Sequence, residues 1–316
     1  METVKFDSRI EKEGGMGMIS VLIRQLLIMF LYLAIGWVLR KTALVTGKNS
    51  TALSNFLLYV ILPCVIFRSF LSSSITAREL LISLGLAALV LLLAMVVSSL
   101  LFRKNNAAVF GASFSNAGFM GIPLITAVLG SSAVSCTAGL VALLNALQWT
   151  WGQGIISGSM KECSPKALCR NPLILSFLLG LIFYFANLTL PDLLMTAVDA
   201  LADCNAPVAM VLLGVFLGGM PLKQIWRGKS AWLVSAVRLL LIPLLTVLLL
   251  ALFPGVSAEI RSAILIAASA PVGSNLVVYL QKQERDTGAA VQMICLSTLL
   301  SIVTMPLLLS FSTLFW

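Results

Sequence analysis

The chain has 316 residues, 59% of them hydrophobic and 10% charged, with a mean hydropathy of +1.04; a soluble domain carries about 25% charged residues, so a soluble enzyme is excluded. The 21 basic and 12 acidic residues sit in short loops between apolar runs rather than in one patch, which argues against nucleic-acid binding. Histidine is absent, which removes the commonest general base and transition-metal ligand; no metal site or cofactor is implied, and any proton coupling must use carboxylates.

Residues 1–18 are polar, of mixed charge and without the tripartite plan of a signal peptide, and read as an N-terminal tail. Apolar runs of about 20 residues, enough to cross a hydrocarbon core, then predict helices over 19–39, 51–71, 79–101, 107–130 and 132–157. The connection 158–171, with Gly158 and Pro165, separates these from a second set over 172–189, 195–219, 230–253, 259–281 and 287–313. The expectation is an all-α polytopic membrane protein of ten transmembrane helices, in two five-helix repeats over 19–157 and 172–316. Over these ten spans 13 lysines and arginines fall on one side and 5 on the other. Because basic loops resist translocation, the 158–171 loop is predicted to be cytoplasmic, both termini outside, and the protein to lie in the inner cell membrane. On that side of the membrane Cys163 and Cys169, and the four cysteines in apolar runs, are expected to be reduced.

Five helices is an odd number, so the two repeats face opposite ways. Prolines give a weak correspondence between them, Pro63 and Pro123 in the first against Pro207 and Pro271 in the second, although membrane helices often contain proline. The fourth predicted helix carries Ser113, Ser115, Asn116, Gly118, Gly121 and Pro123, and the ninth carries Ser269, Pro271, Gly273, Ser274 and Asn275. Proline cannot donate to the carbonyl one turn earlier and glycine weakens the turn beside it, so Gly121 with Pro123, and Pro271 with Gly273, predict breaks near mid-membrane. If the broken fourth and ninth helices cross, their half-helix N-termini present free N–H groups to an anion. Asn116, Ser115, Asn275 and Ser274 would then line a substrate site. The alternative is that these small and polar residues only pack helices together.

Asp199 and Asp203, four residues apart in the seventh helix, are the only acids well inside an apolar span. They would bind a proton or sodium ion for coupling, or pair with Arg238 of the eighth helix, or lie near the membrane surface. Asn145, Gln148 and Gln153 in the fifth helix, and Ser297, Thr298, Ser301 and Thr304 in the tenth, either line a cavity or bond to neighbouring helices. Trp149, Trp151, Trp232 and Trp316 fall toward span ends and are assigned to interface anchoring.

The order and spacing of Ser115-Asn-Ala-Gly-Phe-Met-Gly-Ile-Pro-Leu124, Asn171-Pro172, Arg238 to Pro243, Ala270-Pro271 and Leu296-Ser-Thr-Leu-Leu-Ser301 resemble the auxin efflux carrier family, its shorter bacterial members above all. The resemblance runs from about Met18 to the C-terminus. It implies a two-repeat fold with crossed fourth and ninth helices, and substrate-carboxylate contact at Asn116. Pro271 matches the ninth-helix crossover only loosely, and the long hydrophilic loop of the plant carriers is missing. The function expected is a secondary permease for a mono- or dicarboxylate such as malonate or malate, working by alternating access. Rival readings are a sodium-coupled organic-anion symporter of the bile-acid type and a membrane sensor that does not transport. An intramembrane aspartyl enzyme is disfavoured, since Asp199 and Asp203 on one helix make a poor dyad. The expected partners are the bilayer and the small carboxylate; oligomeric state stays open, a homodimer included.

Overall fold

The computed structural model describes residues 2–46, 49–71, 75–159 and 171–316, and its regular structure among these is entirely helical. Helix α1 spans Glu2–Lys41, with its apolar span beginning at Ile19. Residue 18 is therefore not a helix boundary; no proline precedes it to stop the helix. In chain order there follow α2 (Ser50–Leu71), α3 (Ala77–Leu101), α4 (Asn106–Ser113), α5 (Ala117–Leu129), α6 (Ser132–Ser157), α7 (Pro172–Phe185), α8 (Asp192–Gly218), the single turn α9 (Leu222–Ile225), α10 (Lys229–Ala251), α11 (Ala258–Ser269), α12 (Asn275–Lys282) and α13 (Gly288–Ser312).

Seven of these helices among the described residues are long and apolar enough to cross a membrane: α2, α3, α6, α8, α10, α13 and the Ile19–Lys41 part of α1. The fourth and ninth predicted spans are each divided, into α4 with α5 and α11 with α12. The sixth is α7, whose 14 residues rise about 21 Å, less than the thickness of a hydrocarbon core. Lys48, Lys161, Lys166 and Arg170, behind part of the orientation reading, lie outside the described residues, as do Cys163 and Cys169. Cys64, Cys136, Cys204 and Cys295 are unpaired.

Local chemistry sets the ends. Thr76 and Glu79 form a reciprocal capping box at the start of α3. Asn105 caps α4 by accepting from Ala108 N–H at 3.1 Å, and Asn171 caps α7 by accepting from Leu173 N–H at 2.9 Å, with Pro172 in the first helical position. Three π-turns, Leu57–Ile61, Ala117–Gly121 and Val237–Leu241, each end two residues before a proline, Pro63, Pro123 and Pro243. A proline ring crowds the preceding turn and brings no N–H to it. A wider i→i+5 turn, as in Ile122 N–H to Ala117 O, accommodates both. Pro207 instead sits in the first turn of the Asn205–Gly218 part of α8, and Pro271 lies between α11 and α12. The proline pairs offered by the sequence thus occupy unlike local structures.

The helices form two groups. α1 lies along the Asn205–Gly218 part of α8, and α2 packs against α7 and the Asp192–Asp203 part of α8. The others gather around the two interrupted helices, α3 against α4 and α6, α10 against α13, and α11 against α5, α6 and α13. In the α1–α8 seam the backbones touch, because a Cβ on Gly36 would strike Val211 O and one on Gly214 would strike Leu33 O. Large apolar side chains, among them Leu31, Leu92, Ile182, Leu248 and Leu307, remain exposed around the outside, as lipid contact requires.

Candidate functional site

The two interruptions meet. α4 ends at Ser113 and the chain turns extended at Phe114 (φ −111°, ψ 115°); α11 ends at Ser269 and turns extended at Ala270 (φ −60°, ψ 149°). The two extended pieces pair antiparallel at Ser115 and Val272. Asn116 N–H donates to Pro271 O at 2.7 Å and Gly273 N–H to Phe114 O at 3.0 Å, while Val272 N–H donates to Ser297 Oγ of α13 at 3.1 Å. Gly273 suits this approach: a Cβ there would lie a tight 3.2 Å from Phe114 O and 3.3 Å from Ser115 O. Gly121 brings α5 close to α11, its Cβ position 3.3 Å from Ala267 Cα. Two helix N-termini, of α5 and α12, and two C-termini, of α4 and α11, therefore converge on one place.

Ser115, Asn116 and Ser274 are buried at this crossing, and the Asn116 Nδ2 has no hydrogen-bond partner. Asn275 opens α12 and donates from Nδ2 to Gln148 Oε1 at 2.8 Å, tying the crossing to a π-turn of α6, Gln148–Gly152. The first break lies at Phe114–Asn116, more than a turn ahead of Pro123, which sits in the first turn of the α-helical part of α5, Ile122–Leu129. In the π register the carbonyl left facing Pro123 is that of Gly118, not Phe119, and Asn205 Nδ2 takes it at 3.1 Å. A cleft with about 380 Å³ of empty space, its mouth included, reaches Asn275 from between α2, α6, the start of α7 and α12, with Tyr59, Asn145, Trp149 and Tyr279 in its walls.

Asp199 and Asp203 do not pair with Arg238. They face Arg68 of α2, whose Nη1 lies 3.6 Å from Asp199 Oδ1 and 2.6 Å from Asp203 Oδ1, with the two acids 43% and 72% exposed. Arg238 is 2% exposed and turns to the crossing, donating from Nη1 to Ala112 O at 3.0 Å and Ser113 O at 3.3 Å. Trp149 and Trp151, assigned from the sequence to interface anchoring, are half-buried and make ring contacts within the protein. They lie in the π-turn of α6 against the aromatic side chains of the crossing, Trp149 on Tyr279 at 5.5 Å and Trp151 on Phe114 at 5.8 Å. Trp316 donates from Nε1 to Ser262 Oγ and lies over Arg261. The sequence reading missed the part played by Arg238 at the end of α4, by Asn205 and by the Gly214-x-x-x-Gly218 pattern; the intramembrane charge of Arg238 and the glycine spacing are sequence signals, and Asn205 has none of its own.

Apolar helices of membrane-crossing length around two interrupted helices that meet at their breaks define a multi-pass membrane protein of transporter build. The chain belongs to the membrane transport protein family, of the auxin efflux carrier type, whose profile matches residues 21–163 and again 156–309. This is a family of membrane transporters and not of enzymes. The chain is 29% identical to a protein of Rhizobium meliloti (strain 1021) named "Putative malonate transporter", over 83% of this chain and 87% of that protein. It is 24% identical to an "Uncharacterized transporter" of Methanothermobacter thermautotrophicus, over 86% of this chain and 92% of the relative.

Proposed function

We propose that this transporter is a secondary carrier for a small carboxylate, held at the crossing of the two interrupted helices and exposed to the two sides of the membrane in turn. The observation that carries the reading is the Asn116 Nδ2, a buried donor without a partner on the N-cap residue of α5 at the crossing. A buried donor left unpaired is costly, and helix N-termini favour anions; a carboxylate lodged there would satisfy both. Asn275, Ser115 and Ser274 would complete the site, with Gly121, Pro123, Pro271 and Gly273 shaping it. The name of the Rhizobium relative favours malonate within the carboxylate class. In this reading residues 19–157 and 172–316 are inverted repeats and the chain lies in the cell membrane with both termini outside. No bound cofactor takes part; a proton- or sodium-coupling role for Asp199 and Asp203 would have to run through opening of their ion pair with Arg68.

The test is thermal unfolding of the purified chain with malonate, malate and monocarboxylates. The melting temperature of the intact chain should rise with at least one of them, and the rise should be lost in Asn116→Ala and Asn275→Ala while both variants remain folded. A carboxylate that stabilises the variants as much as the intact chain would remove the crossing as the site.

A further inference from the structure

The crossing contains a full positive charge that the anion reading alone does not require. Two helices end there, α4 at Ser113 and α11 at Ser269, and each C-terminus presents carbonyls with no intrahelical donor and a partial negative charge. Within membrane carriers such exposed carbonyls and helix C-termini coordinate sodium or similar cations. At α4 that position is already filled, because Arg238, arriving from the π-turn of α10, donates to both Ala112 O and Ser113 O.

Among the described residues no acid pairs with Arg238; the intramembrane acids Asp199 and Asp203 pair with Arg68 instead, and Arg238 Nε is buried without a partner. A buried charge so placed is expensive in a membrane and usually has a function. Its positive charge is met on one side by the negative end of α4. Elsewhere the crossing offers the donors of Asn116 and the N-termini of α5 and α12 against the partial negative end of α11, and no carboxylate of the described residues pairs with Arg238, so the full counter-charge still missing is an anion.

We propose that Arg238 is a tethered cation, taking at the end of α4 the place a free inorganic cation would occupy, so that a carboxylate binds at the crossing without sodium. The anion half of this rests on the function proposed above; the cation half does not.

The experiment is chemical rescue of Arg238→Ala, read by its melting temperature without any carboxylate and by carboxylate binding. Arg238→Ala should melt below the intact chain and bind carboxylate more weakly, and guanidinium chloride in the low millimolar range should raise both. Guanidinium generally weakens folded proteins, so the same concentration should leave the intact chain and Arg103→Ala, an exposed arginine, unchanged or lower. The intact chain should bind carboxylate equally with sodium or choline as the only cation. Absence of rescue, equal rescue of Arg103→Ala, or a sodium requirement in the intact chain would overturn the proposal. Should the alanine variant fail to fold, Arg238→Lys decides. The lysine keeps the charge and should keep sodium-free binding, whereas a lysine chain that binds only with added sodium refutes the tethered cation. If no carboxylate stabilises the intact chain but guanidinium still rescues Arg238→Ala, the anion reading fails and the tethered cation stands.

Discussion

Side chains from distant helices satisfy the backbone groups that the interruptions release. Asn205 takes the Gly118 carbonyl, Ser297 takes Val272 N–H, and Arg238 takes two carbonyls of α4. Removing the Asn205 amide leaves a buried carbonyl unpaired, so Asn205→Ala should lower stability by about 1–3 kcal/mol, checked by thermal or denaturant unfolding in detergent. Arg68→Ala should cost no more than about 1 kcal/mol, since one partner, Asp203, is largely exposed. Asn116 and Asn275 were legible in the sequence because each stands beside glycine and proline where plain hydrocarbon would serve. Arg238 was legible as an anomaly but not as a partner of α4. A sequence shows that a charge is intramembrane and not which neighbouring helix it faces, and Asp199 and Asp203 were the only acids well inside an apolar span.

The elements depend on glycine at close approaches. In the α1–α8 seam any side chain at Gly214 meets the backbone of α1, so Gly214→Val should destabilise the fold by at least about 1–3 kcal/mol, measured as a lower melting temperature. Gly273→Ala acts differently. Its methyl would stand 3.2 Å from Phe114 O, pushing apart the two extended pieces, and carboxylate binding should fall more than the melting temperature does; the reverse order would mean that the spacing there matters only for folding. Helix existence and approximate bounds could be read from apolar length. The place of the first break could not: Pro123 drew attention to itself, whereas the π-turn ahead of it absorbed the proline and moved the extended residues back to Phe114–Asn116.

At the scale of the molecule, α1, α2, α7 and α8 form one group and the helices around the crossing another, and the cleft at Tyr59 and Val278 lies between them. If the two groups move against each other, joining Tyr59→Cys and Val278→Cys with a bifunctional thiol reagent, in a chain whose six cysteines are replaced by serine, should stop flux while leaving carboxylate binding intact; undiminished flux would exclude relative motion of these two walls. The apolar pattern predicted ten spans, and among the described residues seven helices meet the length and hydropathy of a full crossing; of the other three, two are divided and one, α7, is short. The π-turns have a consequence for that pattern as well. Each inserts one residue into the helical count, and one residue is about 100° of rotation. Beyond Leu57–Ile61 in α2 and Val237–Leu241 in α10, the buried positions are therefore out of phase with those before, while Ala117–Gly121 sets the phase of α5 from its start. Deleting a single residue from any of the three would restore the ordinary pitch and swing the following segment's buried stripe toward lipid. The prolines at 63 and 243 thus mark the points where the chain changes the direction in which its side chains look.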